Sequence, residues 1–134
     1  MSFPTADPRE IAAAYRASAV ENAPPVVVVR LLFEHALRTI ASAEACDPVR
    51  QPAAFAKHLA RADATVVELR LALAHEAAPD ISRRLEQLYL FVETRLHDAL
   101  RQRDCAPIAE ARSILAILLD AWTRIDLGPS ATAA

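Results

Sequence analysis

The sequence predicts an all-α fold, an antiparallel up-down four-helix bundle with a short accessory N-terminal helix. The first observation is composition: 30 of the 134 residues are alanine and one is glycine. Alanine is the best helix former, and tight β-hairpins usually need glycine. The second is that nine prolines leave four proline-free stretches, each long enough for a helix of about 30–40 Å. The third is that apolar residues recur every three or four positions within these stretches.

The predicted elements follow the prolines, because proline is accepted in the first turn of a helix and breaks its interior. We predict a short N-terminal helix at about 8–21 and long helices at about 24–46, 53–77, 80–103 and 107–126. The connections are short, so consecutive long helices should lie antiparallel within a single domain. Residues 1–7 and 128–134 are predicted to be loose ends.

The first long helix begins with four valines, Val26 to Val29, which by themselves would favour a strand. Helical spacing nevertheless continues for four turns to Ala43, so we interpret the segment as a helix. The predicted core stripes of the other three are Phe55, Leu59, Ala62, Val66, Leu69 and Leu73; Ile81, Leu85, Leu88, Val92, Leu96 and Ala99; and Ile108, Ala111, Leu115, Leu118, Trp122 and Ile125.

Three helices carry more apolar residues than one buried stripe requires. The surplus positions are Val27, Val28 and Leu31, then Tyr89, Leu90 and Phe91, and finally Ile114, Ile117 and Ala121. One interpretation is that alanine inflates the apolar content and the N-terminal helix covers the rest. The other is a groove that receives an apolar helix or an extended segment of a partner.

Composition and motifs exclude several classes of function. A net charge of −2 and a pI of about 6.1 give no electrostatic footprint for nucleic acid. The sequence has no apolar run of the ~18 residues that a membrane span needs, and no signal peptide, so a cytoplasmic location is expected. It also lacks a glycine-rich phosphate loop and a Glu-x-x-His motif. We therefore expect no catalytic residues, no metal and no cofactor.

Two isolated features leave alternatives open. His58 followed by Arg61 partly matches the motif of histidine phosphotransfer bundles, but the expected glycine is missing, and a solvated histidine on the polar face beside Lys57 is the favoured interpretation. Cys46 and Cys105 fall at the same end of an up-down bundle, where oxidation would permit a disulfide if geometry allows. The favoured interpretation for a cytoplasmic protein is that both are reduced and serve as small apolar residues. A self-associating bundle that buries its surplus stripes in a homodimer is a further hypothesis.

Several motifs in order, between Tyr15 and Trp122, are similar to those of one family. They are Ala14-Tyr15-Arg16; Ala23-Pro24-Pro25 with the following valines and Leu32-Phe33-Glu34-His35-Ala36; Glu68-Leu69 with Leu73; Leu88-Tyr89 with Arg95-Leu96 and Ala99; and Ala121-Trp122. The sequence resembles the FliS-type flagellar export chaperones. It departs from their pattern at Phe33, where tyrosine is usual, and at His35, where glycine is usual.

The resemblance implies a cytoplasmic, non-enzymatic chaperone that holds the disordered C-terminal segment of flagellin in apolar grooves until type III flagellar export. The flagellar export apparatus and an anti-sigma factor are further candidate partners, and both a monomer and a homodimer are left open. We predict seven partner-binding or gate positions: Tyr15, Val28, Leu31, Leu32, Phe33, Tyr89 and Val92. The N-terminal helix, with Ile11, Tyr15 and Val20, would occupy the groove when the partner is absent.

Overall fold

The computed structural model describes residues 8, 11, 14, 15, 26–76 and 78–126. Within them lie four long helices: α1 (Val26–Glu44), α2 (Pro52–Leu71), α3 (Pro79–Gln102) and α4 (Ala106–Asp126). The described part of the chain contains no strand, so the predicted all-α class is confirmed. Of the predicted N-terminal helix, the four described residues have helical backbone, and the others, including Val20, lie outside the described residues. So do both predicted loose ends.

The four long helices form a closed ring in which each one packs against its neighbours in the chain and α1 also packs against α4. Two side-chain contacts between α2 and α3 show that these helices run antiparallel. Asp63 Oδ1 lies 3.4 Å from His97 Nε2, and Glu93 Oε2 lies 2.7 Å from Arg70 Nε. Residue numbers thus rise along α2 as they fall along α3, as in the predicted up-down bundle.

The buried core follows the predicted stripes closely. All six predicted positions of the second long helix are buried, as are the predicted positions 108, 111, 115, 118 and 122 of the fourth. On α3 the buried stripe differs from the predicted one, because Tyr89 is fully buried whereas Ile81 and Leu88 are only partly buried and pack against the edge of the core. Ile114 and Ala121, placed among the surplus positions, are also core residues. The prediction that Ile125 is a core residue concerns a side chain outside the part of the chain that the structure describes.

Helix α2 is shorter than the sequence predicts, ending at Leu71 instead of at 77. The helix ends early because groups near its C-terminus form hydrogen bonds with the N-terminal segment. The backbone N–H of Ala74 donates to the carbonyl of Ala14, 2.7 Å away in the N-terminal segment, and not to a carbonyl of its own helix. The hydroxyl of Tyr15 likewise donates a hydrogen bond to the carbonyl of Leu69 in the last turn of α2. Contacts with a distant part of the chain therefore replace the helical hydrogen bonds that would have extended α2.

The connection between α3 and α4 turns within three residues. Arg103 has φ 53°, the left-handed conformation that a helix C-terminus often needs and that glycine normally supplies. The next residue, Asp104, donates its N–H to the carbonyl of Ala99 at 3.1 Å, which closes the C-terminal turn of α3. Its carboxylate accepts the N–H of Ala106 at 3.0 Å and so caps the start of α4.

Candidate partner-binding site

Four aromatic side chains meet inside one end of the bundle, where α1 and α3 begin and α2 and α4 end. The ring of Tyr15 stands edge-on to Trp122, with 5.4 Å between ring centroids and 81° between planes. Phe33 lies 6.4 Å from Tyr89 at a tilt of 43°. We call these four residues the aromatic cluster. Such edge-on and tilted pairs are favourable geometries for aromatic rings. All four are buried, so the cluster is part of the core.

The polar atoms of the aromatic cluster form one short chain of hydrogen bonds. The Tyr15 hydroxyl lies 2.9 Å from the Leu69 carbonyl and 2.8 Å from the Tyr89 hydroxyl. A carbonyl only accepts, so Tyr15 uses its single hydrogen there, and the Tyr89 hydroxyl must donate to the oxygen of Tyr15. Tyr15 thereby satisfies a carbonyl in the last turn of α2 that has no helical partner.

Burial raises the pKa of the Tyr15 hydroxyl well above its usual value, and proximity to Tyr89 raises it further. Burial likewise raises the pKa of Tyr89. Both hydroxyls therefore stay protonated at physiological pH. The pair is a fixed hydrogen-bond link, with no proton to exchange near neutrality.

The N-terminal segment is docked through more than one residue. Ile11, Ala14 and Tyr15 are all buried. The carbonyl of Ala14 accepts the N–H of Ala74, and the side chain of Tyr15 enters the interior beside α2, α3 and α4. Together these contacts make the segment a plug at this end of the bundle.

An apolar strip lies on the outer surface of the same end, at the start of α1. It consists of Val27, Val28 and Leu31, whose exposed fractions are 48%, 42% and 48%. Their spacing of three and four residues puts them on one helix face. The face continues to His35, which is exposed, and beside the strip Arg30 pairs with Glu34 at 3.0 Å. We refer to these three residues as the α1 strip.

The seven positions predicted from the sequence divide into two groups. Val28 and Leu31 lie on the surface, in the α1 strip, and Leu32 is partly buried against the core. Tyr15, Phe33, Tyr89 and Val92 are buried inside the bundle. The second group is therefore inaccessible to a partner in this structure, and Tyr15 itself belongs to the plug.

The sequence predicts Trp122 as a core residue and as part of a family motif but does not place it at the site, where its ring packs against that of Tyr15. The sequence also does not predict the two backbone groups that hold the plug, the carbonyl of Leu69 and the N–H of Ala74. The position of Trp122, a large aromatic residue near the end of the last apolar stripe, was the sequence signal that could have placed it at the site. Backbone groups carry no signal in the sequence.

The remaining sequence features lie elsewhere. His58 is half-buried in the first half of α2, next to the core residue Leu59. Cys46 and Cys105 are free, half-buried thiols. Among the residues that the structure describes, no three histidine, cysteine or acidic side chains are grouped to hold a metal ion. Within the same residues, none of the helices is apolar over a length that would cross a membrane.

The exposed apolar strip beside the docked terminal segment is the candidate partner-binding surface of this bundle. The family model described as flagellar protein FliS matches residues 8–128. The chain belongs to this family, whose members are chaperones of flagellum biogenesis. No curated protein matches the sequence.

Proposed function

We propose that this chain binds the disordered C-terminal segment of flagellin in the cytoplasm and keeps it from polymerising until type III flagellar export. Membership of the FliS family supports a flagellar chaperone role. The observation that carries the finer proposal is the α1 strip, an exposed apolar ridge at the plugged end of the bundle.

A disordered partner needs an apolar binding surface, and the α1 strip is one. A disordered segment loses conformational entropy when it is ordered, so it needs a long apolar contact to offset that loss. The α1 strip offers a first contact for an amphipathic helix or an extended segment. The aromatic cluster offers a larger one, but only after Tyr15 has left it.

We infer that the N-terminal plug acts as a gate. Tyr15 covers Tyr89 and Trp122, and both are fully buried as long as it stays. Binding that displaces the plug must break the backbone bond from Ala74 to Ala14 and the bonds of the Tyr15 hydroxyl to Leu69 and Tyr89. It must also expose the buried side chains of Ile11 and Tyr15. Only molecules whose plug is open can bind the partner at the aromatic cluster. The apparent Kd is then the intrinsic Kd divided by the fraction of molecules with an open plug.

The first experiment is isothermal titration calorimetry with a synthetic peptide of the flagellin C-terminal segment. Leu31→Asp introduces a charge into the α1 strip and should weaken binding at least about tenfold, which corresponds to about 1.4 kcal/mol. The matched control is Leu100→Asp, since Leu100 is 43% exposed at the far end of the bundle. It should bind like the wild type.

Two results would contradict the proposed site. One is equal binding by the Leu31→Asp variant and the wild type, with unchanged circular dichroism. The other is a dimer in light scattering that the same substitution dissociates while peptide affinity stays constant, since the strip would then serve self-association.

The second experiment tests the gate. The backbones of Ala14 and Ala74 are joined by a 2.7 Å hydrogen bond, so a cysteine at each position should lie within reach of a disulfide. In a background with Cys46→Ser and Cys105→Ser, the oxidised Ala14→Cys/Ala74→Cys variant should bind the peptide at least about tenfold more weakly than after reduction. Equal affinities of the two redox forms would contradict gating.

A further inference from the structure

We propose that Cys46 and Cys105 form an intramolecular disulfide under oxidising conditions, which ties the α1–α2 connection to the α3–α4 connection at the end of the bundle opposite Tyr15. This modification site is independent of the proposed function, since it concerns neither the α1 strip nor the plug.

The first support is the place of the two cysteines in the fold. Cys46 follows the last residue of α1 by two positions, and Cys105 immediately precedes α4. The last turn of α1 is held against α4 by an ion pair in which Arg112 Nη1 lies 2.6 Å from Glu44 Oε2. Because α1 and α4 pack side by side, both cysteines lie close to this ion pair, at the same end of the α1–α4 helix pair.

The second support is burial. Both cysteines are only partly exposed, and both pack against the hydrophobic core. Each of the two side chains is thus partly shielded from solvent by the core at this end of the bundle. The Cys46 thiol makes one weak contact, 3.4 Å to the carbonyl of Ser42, which a disulfide would replace.

The electrostatic environment of Cys105 agrees with this arrangement. Burial raises the pKa of the Cys105 thiol, and the negative groups of Glu44, Asp104, Cys46 and Asp47 raise it further. Groups from both connections thus lie close enough to act on one sulfur.

The chemistry needs a two-electron oxidant, for which we take a low-molecular-weight disulfide such as oxidised glutathione. One of the two cysteines, as its thiolate, attacks one sulfur of glutathione disulfide, forms a mixed disulfide and releases one glutathione thiolate. The sulfur of the other cysteine, after losing its proton, then attacks the first cysteine and releases the second glutathione as its thiolate. Two protein thiols are oxidised, one glutathione disulfide is reduced to two glutathiones, and the two protons pass to the leaving thiolates.

The test is to equilibrate the folded full chain with glutathione disulfide, and then to measure its mass and its free thiols. We expect a monomer that is lighter by two hydrogen atoms and has no free thiol. Closing the loop from 46 to 105 should raise Tm by on the order of 10 °C, because the cross-link restricts the unfolded chain. Reduction should reverse both changes.

The matched controls are Cys46→Ser and Cys105→Ser. Each should gain at most one glutathione and show no rise in Tm. A folded wild type that keeps two free thiols, that carries two glutathiones, or that forms only disulfide-linked dimers would overturn the proposal.

Discussion

The link between Tyr15 and Tyr89 allows a double-mutant cycle whose outcome depends on the direction of each hydrogen bond. Tyr15→Phe removes the donor to the Leu69 carbonyl and the acceptor for the Tyr89 hydroxyl. Two buried polar groups then lose their partners, at about 1–3 kcal/mol each, so we expect a loss of about 2–6 kcal/mol in the free energy of unfolding.

Tyr89→Phe should be milder. It removes one hydroxyl and leaves the bond from Tyr15 to Leu69 in place. Only a neutral hydrogen bond is lost, with a cost of about 1 kcal/mol. The double variant removes the donor that Tyr15→Phe alone would leave unpaired. Its free energy of unfolding should therefore lie close to that of Tyr15→Phe and well above the additive value.

The measurement is urea-induced unfolding followed by far-UV circular dichroism, with similar m-values as the check that only stability has changed. Trp122 provides a second probe, because it is the one tryptophan of the chain and touches the ring of Tyr15. The reasoning is refuted if Tyr89→Phe costs as much as Tyr15→Phe, or if the two losses add. Losses near zero in all three variants would show that the N-terminal segment is not docked in solution.

Three further substitutions test other parts of the structure. Arg103→Gly should raise the free energy of unfolding by up to about 1 kcal/mol, because glycine adopts the left-handed conformation without strain; a loss in urea unfolding would contradict this. Glu93→Gln should lower it by about 1–2 kcal/mol, since the largely buried carboxylate accepts two hydrogen bonds from Arg70; an unchanged unfolding midpoint would show that the pair adds nothing. The hydrogen bond from Arg101 lowers the pKa of Asp98. This carboxylate therefore stabilises the fold at neutral pH, and its contribution is lost as pH falls below about 4. Asp98→Asn should weaken the acid dependence of Tm, and a pH profile of Tm identical to that of the wild type would refute this prediction.

The number, order and approximate positions of the long helices could be predicted from the sequence, because proline positions and apolar periodicity are local properties of the chain. The starts of α2, α3 and α4 were each predicted to within one residue, next to Pro52, Pro79 and Pro107. The end of α2 could not be predicted, since it depends on hydrogen bonds to Ala14 and Tyr15, about sixty residues away.

The candidate site divides in the same way. The α1 strip was visible as apolar residues outside the core stripe, and Val28 and Leu31 are indeed exposed. Phe33, Tyr89 and Val92 share that apolar character, yet they lie inside. Periodicity distinguishes two faces of one helix, but it does not show which neighbours cover each face. Only the packing of four helices and the docked N-terminal segment decides which apolar residues remain available to a partner.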